Sequence, residues 1–401
     1  MTAAPLFLED CGIVTSLGYG KKEVAHALFT GADDGIIRRS DLVPHKQVNV
    51  GAVQGGLPTP PAALRDFDCR NNRLMQAVLL EIAPAVEKAV KRYGRDRIAV
   101  VLGTSTSGTS SSEEAMIIYQ NRGAWPNDYH YHKQEISSLS TFSARFLGLT
   151  GPTYTVATAC SSSAKVFASA RRLIRAGLAD AAIIGGADTL CRMTLNGFDA
   201  LELLSKEKCN PFSANRDGIT IGEGAAAFLL SGDVGPVQFL GIGETSDAHH
   251  LTAPDPEGHG ARKAMLQALH DAALEPSDIA YINLHGTATL LNDAMEARAV
   301  ASIFGAQTPC SSTKSMTGHM LGATGGCEAA FLWLALHAAT SPGLLPPHLW
   351  DGVHDKDLPV LNFVARGTPL PEGKQLAMLS NSFGFGGSNA SLILGRASSG
   401  A

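Results

Sequence analysis

Apolar residues occur in this chain as short continuous runs, most of them ended by glycine or a small polar residue. Runs of this kind are typical of strands that helices cover on both faces. Two longer segments, residues 74–90 and 262–273, carry apolar positions at the spacing of an amphipathic helix. Alternation of the two patterns predicts βαβ units in an α/β fold. The predicted strands are residues 97–102, 153–157, 180–184, 225–230, 279–284 and 376–380.

A turn-rich stretch at residues 231–236 is the predicted boundary between two halves of the chain. It combines glycine, aspartate and proline, residue types that interrupt helices and strands. With 401 residues the chain is long enough for two core-bearing units or one large duplicated fold, although no internal repeat is visible by eye. The predicted division is an N-terminal half over residues 1–235 and a C-terminal half over residues 236–401.

Composition and charge narrow the class of protein. Hydrophobic residues make up 45% of the chain and charged residues 17%, as in packed globular proteins. The net charge of −5 and the lack of long basic runs argue against nucleic-acid binding. No segment has the pattern of a signal peptide or of a membrane span. Seven cysteines scattered without pattern suit a reducing compartment, so the predicted location is the cytoplasm.

Cys160 is a candidate nucleophile because it lies where a predicted strand gives way to a helix. Apolar residues follow it at helical spacing, and the serines at 161–163 are predicted to cap that helix. The N–H groups and the dipole at a helix N-terminus stabilise a thiolate, which is the reactive form of cysteine. Taken alone, this segment is explained equally well by a buried packing cysteine.

Two histidines next to glycine strengthen the prediction of a reactive site. His285 follows the predicted strand 279–284 and precedes Gly286, while His319 follows Gly318. Glycine allows a tight turn and a close approach of substrate, and α/β proteins usually place their chemistry at the carboxyl ends of strands. Since Cys160 and the two histidines lack the close paired spacing of zinc ligands, no metal site is predicted.

The motifs around these residues resemble those of the β-ketoacyl-acyl carrier protein synthases, the Cys-His-His condensing enzymes of the thiolase superfamily. The resemblance implies a thiolase-like five-layer αβαβα sandwich of two similar α/β halves. Ala288 departs from the family, which usually has Gly or Ser between the two threonines. The similar segments are Thr-Ala-Cys-Ser-Ser around Cys160, His-Gly-Thr-Ala-Thr from His285, Lys-Ser-Met-Thr-Gly-His from Lys314, and residues 210–218, 222–224 and 381–389.

The resemblance implies a catalytic role for five residues. Cys160 would carry the acyl chain, and the backbone N–H groups of Cys160 and Phe385 would form the oxyanion hole. His285 and His319 would stabilise the enolate left when a malonyl thioester loses carbon dioxide, while the helix terminus supports the thiolate. Lys314 would interact with Glu328 and order the histidines.

The same resemblance implies how substrate is held. Thr287 and Thr289 would contact a phosphopantetheine arm, and Glu328 and Gly384 complete the predicted substrate-binding set. Phe385, flanked by glycines, would act as a gate that opens once the cysteine is acylated. The serine-rich segment 103–112 lacks the ending of a P-loop and would border the acyl pocket and a dimer interface. No cofactor is predicted, since the phosphopantetheine arm arrives on the acyl carrier protein.

The predicted reaction is β-ketoacyl-[acyl-carrier-protein] synthesis, a decarboxylative Claisen condensation of the bound acyl chain with malonyl-ACP in fatty acid elongation. Segments 70–73, 103–108 and 284–289 keep an alternative open, a specialised ketosynthase of an aryl polyene or polyketide pathway paired with a chain-length-factor-like subunit. A non-catalytic chain-length factor is disfavoured because the cysteine and both histidines are present. A thiol hydrolase is a further enzyme alternative.

The predicted partners are the acyl carrier protein, with acyl-ACP and malonyl-ACP as substrates, and a second subunit. A homodimer is expected, with a heterodimer of related subunits as the alternative, and neither nucleic acid nor a membrane is a predicted partner. Because carrier proteins are acidic, docking is expected to use basic residues and to weaken with salt. The candidates are Arg65, Arg70, Lys206 and Lys208.

Overall fold

The computed structural model describes residues 4–337, 339, 341–371 and 376–397. The strands in this part are β1 Leu6–Thr15, β2 Gly18–Tyr19, β3 Ile36–Val43, β4 Lys46–Gly51, β5 Ile98–Gly103, β6 Thr153–Val156, β7 Ala181–Asp188, β8 Ile221–Gly222, β9 Gly224–Ser231, β10 Val237–Ser246, β11 Ile279–Asn283, β12 Pro309–Ser311, β13 Asn362–Phe363, β14 Ala377–Gly384 and β15 Ser388–Arg396. The helices are α1 Gly20–Thr30, α2 Arg70–Tyr93, α3 Thr109–Arg122, α4 Ser138–Leu147, α5 Ser162–Arg175, α6 Arg192–Ala200, α7 His259–Ala272, α8 Leu290–Phe304, α9 Lys314–Thr317 and α10 Thr324–Leu336.

Each predicted strand and both predicted helices are present within a few residues of the expected ends. The strands correspond to β5, β6, β7, β9, β11 and β14, and the helices to α2 and α7. The continuous apolar runs were reliable because the strands they predicted, other than β6, are buried along almost their whole length, β7 and β9 at every residue.

Two halves of the chain repeat one strand pattern. In the first half, β1 and β9 are antiparallel, β9 and β7 are antiparallel, and β7, β5 and β6 run parallel. In the second half, β10 and β15 are antiparallel, β15 and β14 are antiparallel, and β14, β11 and β12 run parallel. This repetition is invisible as a sequence repeat and confirms the predicted fold of two similar α/β halves.

Helices cover both halves and also separate them. α2 packs on β1, β7 and β9 of the first half, and α7 packs on β10 and β15 of the second. Between the halves, α5 and α10 contact each other and strands of both halves. Every residue of α10 is buried, as a helix in a central layer requires. The resulting order of layers is the predicted αβαβα sandwich.

The two halves also share one hydrogen-bonded sheet. β1 meets β10 through residues 6–8 and 237–239, which joins the strands of both halves into a single path with β6 and β13 at its edges. The division at residues 235 and 236 therefore stays a prediction about domains, since the sheet is continuous across it. A small separate sheet, β3-β4-β8, lies beside the first half.

None of the described helices combines the length and the apolar character that crossing a bilayer requires. The apolar α10 has 13 residues and lies inside the protein.

Candidate active site

Cys160 lies in the turn between β6 and α5, at the position that the sequence predicted. The turn is sharp, since Ala159 has a positive φ of 52°. Ser162 fixes it, because its Oγ accepts a hydrogen bond from the Thr158 N–H at 2.9 Å and donates to the Ala159 carbonyl at 2.6 Å. The predicted capping bond is absent: the side chain of Ser161, the residue before α5, makes no capping bond. Ser162 stabilises the turn instead.

The fold brings Cys160 together with both predicted histidines. His319 Nε2 lies 3.0 Å from Cys160 Sγ, and the rings of His285 and His319 meet edge to face with centroids 5.3 Å apart. All three side chains are buried. Residues that are 125 and 159 positions from the cysteine in the chain thus form one compact group.

Burial controls the protonation of this group. It raises the pKa of the Cys160 thiol to about 11, although the Phe385 N–H and the Lys314 ammonium lower it. It also lowers the pKa of His285 and of His319 well below the ordinary value, an effect that Lys314 reinforces. At neutral pH the site then holds a thiol and two neutral imidazoles. The support that the helix terminus gives to a thiolate stays a prediction.

His319 is placed to take the proton from the thiol. Its Nδ1 lies 3.0 Å from Thr324 Oγ1, at the start of α10. When Nδ1 donates to that hydroxyl, Nε2 presents its lone pair to Cys160 Sγ. The sequence prediction missed Thr324, which lies in the glycine-rich stretch 318–326 and carries no signal of its own.

Lys314 and Glu328 form an ion pair with no exposed surface. Lys314 Nζ lies 2.6 Å from Glu328 Oε1, and both side chains are fully buried. Burial raises the pKa of Glu328, and Lys314 lowers it. Because Glu328 lies in the core rather than on the cavity wall, the structure contradicts its predicted place among the substrate-binding residues. It is placed to hold Lys314 behind the histidines.

The loop between β14 and β15 supplies a backbone donor to the cysteine. The Phe385 N–H hydrogen-bonds to the Cys160 thiol, the arrangement that an oxyanion hole needs. Because Gly384 has no side chain, this loop can approach Cys160 closely; a Cβ at Gly384 would lie 3.3 Å from the Cys160 nitrogen. The Phe385 ring is half-buried and packs against Phe198 of α6 with centroids 5.6 Å apart.

A cavity of about 240 Å³ leads from the surface to Cys160. Thr287 and Thr289 lie on its wall with their hydroxyl oxygens 3.0 Å apart, so both predicted arm-binding residues face the path to the cysteine. Gly384 and Phe385 also line it. Of the predicted site residues, all except Lys314 and Glu328 line the cavity wall or its base. Lys314 and Glu328 lie in the core behind that wall.

Two buried carboxylates that the sequence prediction missed hold the His285 loop. Glu296 accepts the N–H groups of His285 and Gly286, each at 2.7 Å, and Asp293 accepts the Ala288 N–H at 3.2 Å. Burial raises the pKa of Glu296 to about 7 and that of Asp293 to about 6. Ala288 has a positive φ of 65°, which explains why glycine suits this position.

His348 connects, through Ser312, the loop that carries His285 with the segment that leads to His319. Its Nδ1 accepts the Ser312 N–H at 3.1 Å, and its Nε2 donates to the Pro211 carbonyl at 3.1 Å. The Ser312 hydroxyl in turn donates to the Gly286 carbonyl at 2.7 Å. Only a neutral imidazole can accept at Nδ1, and burial lowers the pKa of His348 to about 4.

This lowered pKa predicts a loss of stability in acid. The unfolded chain, with an ordinary histidine pKa of about 6.5, binds the proton more readily than the folded one. His348 therefore contributes up to about 3 kcal/mol to the free energy of unfolding. This contribution is present above about pH 6.5 and is lost as the pH falls to about 4. Urea unfolding at several pH values should show a shallower acid slope in His348→Asn than in wild type. His249→Asn, which changes an exposed histidine, should leave the slope unchanged.

The fold also shows that the separation of residues along the sequence is weak evidence against a metal-binding site. One ligand atom from each of Cys160, His285 and His319 lies within 4.8 Å of the others, so separation in the sequence does not by itself exclude a metal ion. The absence of a metal site stays a prediction.

The five-layer fold and a buried cysteine beside two histidines define the class: a thiolase-fold enzyme that transfers acyl groups. Residues 72–233 match the β-ketoacyl synthase N-terminal domain, and residues 238–348 match its C-terminal domain. The chain belongs to the β-ketoacyl synthase family.

Similar proteins agree with this assignment. The 3-oxoacyl-[acyl-carrier-protein] synthase 2 of Staphylococcus aureus strain COL is 33% identical over 346 residues, covering 81% of this chain and 82% of the relative. The ketosynthase ApeO of Xenorhabdus doucetiae, solved in complex with its chain length factor ApeC, is 45% identical with a TM-score of 0.94, covering 98% of both chains. The ishigamide ketosynthase/chain length factor structure is 26% identical with a TM-score of 0.88, covering 98% and 99%.

These comparisons confirm the predicted enzyme class, an acyltransferring β-ketoacyl-[acyl-carrier-protein] synthase. They support both pathways that the sequence left open, because the relatives include a 3-oxoacyl-ACP synthase and ketosynthases solved with chain length factors.

Proposed function

We propose that Cys160 accepts the acyl chain and that His285 and His319 then act on a malonyl thioester, completing a decarboxylative condensation. One observation carries the proposal: Cys160 Sγ lies at the base of an open cavity with His319 Nε2 3.0 Å away and the Phe385 N–H bonded to it. This arrangement supplies the nucleophile, a base and an oxyanion donor at one point.

In the first half-reaction, His319 Nε2 takes the thiol proton as Cys160 Sγ attacks the thioester carbonyl of the acyl carrier. The Phe385 and Cys160 N–H groups stabilise the negative oxygen of the tetrahedral intermediate. Its collapse breaks the carbon–sulfur bond to the carrier arm, whose thiolate takes the proton back. A buried thiol with a raised pKa suits this order, since it stays protonated until substrate arrives.

In the second half-reaction, the neutral histidines stabilise the enolate that remains when the malonyl thioester releases carbon dioxide. A neutral imidazole can donate its one N–H to the enolate oxygen, and burial strengthens such a bond. For His319 this requires the other tautomer, in which Thr324 Oγ1 donates to Nδ1 and Nε2 carries the proton. The enolate carbon then attacks the Cys160 thioester, the carbon–sulfur bond to the enzyme breaks, and the Cys160 thiolate that leaves takes up a proton from water to restore the thiol. Phe385 acts as the gate between the two half-reactions: its ring leaves Phe198 once the acyl chain is bound.

The phosphopantetheine arm of the carrier enters along Thr287 and Thr289, so the protein needs no resident cofactor. The two hydroxyl oxygens lie 3.0 Å apart, so one can donate to the other, and both can turn to bond the amide groups of an arm. The acyl carrier protein is the proposed partner at this cavity, and the cytoplasm is the proposed location.

The enzyme works with a second subunit. α3 buries only Ala115, and the edge strand β6 leaves Thr153 and Tyr154 exposed. An unpaired strand edge and a group of exposed apolar side chains are each the kind of surface that a subunit covers. The large apolar side chains exposed around α3 are Met116, Ile117, Tyr119, Trp125, Tyr131 and Ile136.

A second candidate function concerns the pathway. The 45% identity to a ketosynthase solved with its chain length factor, over 98% of both chains, favours a specialised pathway and a heterodimer over fatty acid elongation and a homodimer. The basic chemistry is the same in both cases.

The test is incubation of the purified enzyme with a panel of acyl-loaded carrier proteins, followed by intact-mass analysis and measurement of carbon dioxide release from malonyl-carrier. Acylation at Cys160 and chain extension are expected. Acylation followed by release of free acid, without carbon dioxide, would instead identify a hydrolase. Activity that requires a co-expressed related subunit would favour the specialised pathway.

A further inference from the structure

Asp188 is a fully buried carboxylate at the end of β7 that takes no part in the proposed chemistry. Three hydroxyl groups and three backbone N–H groups donate to its two oxygens, at 2.6 to 3.2 Å. Both oxygens accept backbone N–H groups, as those of an ionised carboxylate do, and this number of donors stabilises a charge inside the protein. The donors are the hydroxyls of Thr104, Ser105 and Thr106 and the N–H groups of Ser105, Thr106 and Ala323.

These donors come from two segments that belong to different halves of the chain. The loop 104–106 follows β5 in the first half, and Ala323 directly precedes α10 in the second. Ser105 Oγ strengthens the junction, because it donates to Asp188 Oδ2 at 2.7 Å and accepts the Gly322 N–H at 3.2 Å. The packing is close, since a Cβ at Gly322 would lie 2.8 Å from both Asp188 Oδ2 and the Ser105 nitrogen. Asp188 therefore joins the loop 104–106 to the start of α10.

The start of α10 carries the group that contacts His319. Thr324 is the first residue of α10, directly after Ala323, and its Oγ1 lies 3.0 Å from His319 Nδ1. The other ring nitrogen, His319 Nε2, lies 3.0 Å from Cys160 Sγ. One peptide unit thus separates the N–H that Asp188 accepts from the hydroxyl that orients the imidazole.

We propose that Asp188 is a positioning residue for the acylation step. By accepting the Ala323 N–H it fixes the start of α10, and with it the Thr324 hydroxyl. That hydroxyl in turn keeps His319 Nε2 directed at Cys160 Sγ. The inference rests on the proposed function, in which His319 takes the thiol proton. A misplacement of about 1 Å is enough to slow such a step by about 10²-fold.

The charge of Asp188 and its position have opposite effects on the thiol. Burial raises the pKa of the Cys160 thiol most, and the negative charge of Asp188 raises it further, whereas the Lys314 ammonium lowers it. Loss of the charge alone would therefore make the thiol easier to deprotonate and faster to react. Loss of the placement would make it slower, so the sign of the change distinguishes the two roles.

The test measures single-turnover acylation of Cys160 by the loaded carrier that acylates wild type fastest in the panel above. Asp188→Asn is expected to slow acylation about 10- to 30-fold at saturating carrier, while the KM for the carrier stays the same. Thr324→Val, which replaces the hydroxyl by a methyl group, should slow it by a similar factor. The double variant should be no slower than Thr324→Val, because the contact through which Asp188 acts is already lost.

Glu81→Gln is the matched control. Glu81 also accepts two backbone N–H groups, those of Ile13 at 3.1 Å and Lys21 at 3.3 Å, but it is not a lining residue of the active-site cavity. This variant should acylate at the wild-type rate. Ser105→Ala keeps the charge of Asp188 and removes one of its donors, and it serves as the test if Asp188→Asn does not fold. It should slow acylation about 3- to 5-fold.

Alkylation of Cys160 by iodoacetamide, measured by peptide mass, reports the same contact without a carrier. Asp188→Asn and Ser105→Ala should be alkylated more slowly than wild type. Acylation that is unchanged or faster in either variant, or effects that multiply in the double variant, would overturn the positioning role. If no loaded carrier acylates wild type but both variants are alkylated more slowly, the positioning role is supported and the proposed function is overturned.

Discussion

Replacing Cys160 by alanine is expected to abolish acyl transfer while leaving the fold intact. The sulfur is the atom on which His319 Nε2 and the Phe385 N–H converge, so no other group at the cavity base can take its place as nucleophile. Condensation should fall by at least about 10³-fold, and the free energy of unfolding should change by about 1 kcal/mol. Intact-mass analysis after incubation with acyl-loaded carrier gives the acylated fraction, and urea unfolding gives the stability.

Cys69 provides a matched control for this substitution. It is buried like Cys160, and burial raises the pKa of its thiol to about 11 as well. Cys69→Ala should nevertheless retain full acylation, because the reactivity of Cys160 comes from its neighbours and not from its pKa. Stoichiometric acylation of Cys160→Ala, or its loss in Cys69→Ala, would show that the nucleophile has been misplaced.

The two histidines should separate the half-reactions when each is changed to alanine. His285→Ala is expected to retain acylation of Cys160 and to slow carbon dioxide release by about 10²- to 10³-fold, because an enolate donor is lost. His319→Ala should slow both steps, acylation by about 10²-fold, because its Nε2 is the acceptor beside a thiol with a raised pKa. The motifs alone assigned both histidines to the enolate only; the contact with sulfur gives His319 the additional role.

Single-turnover acylation followed by mass spectrometry measures the first step, and release of labelled carbon dioxide from malonyl-carrier measures the second. His249→Ala, at an exposed position, is the control and should behave as wild type in both assays. Equal effects of His285→Ala and His319→Ala on acylation would contradict the division of roles, as would normal decarboxylation in either variant.

The sequence predicted strands best where they are continuous apolar runs along the chain. β5, β7 and β9 are continuous apolar runs and were located within a few residues, whereas β10 and β15 interleave glycine and polar residues with apolar ones and were missed. α3 was also missed, since it presents no apolar periodicity: a helix that packs on little of its own chain has no reason to be amphipathic.

The order of the motifs identified the residues of the site, but it gave no information on their burial or on the groups around them. Cys160 follows β6 in the first half, and the histidines follow β11 and β12 in the second, so they meet where the two halves pack together. The family motifs, and not this packing, allowed them to be proposed together. Burial could not be read from the motifs: it raises the pKa of the Cys160 thiol and places Glu328 in the core rather than on the cavity wall. Asp293 and Glu296 were missed because the sequence does not distinguish two buried carboxylates near the start of a helix from two exposed ones. The difference becomes visible only when the position of the His285 loop is known.

The repeated strand pattern gives the active site an internal symmetry. β6 leads into α5 in the first half as β12 leads through α9 into α10 in the second, so the Cys160 turn and the Lys314–His319 loop occupy equivalent positions. Cys160 and His319 are thus carried by two versions of one loop, brought face to face where the duplicated halves meet. Because Cys160 precedes α5 and His319 precedes α10, a change that shifts one of these contacting helices against the other is expected to alter the separation of Cys160 Sγ and His319 Nε2.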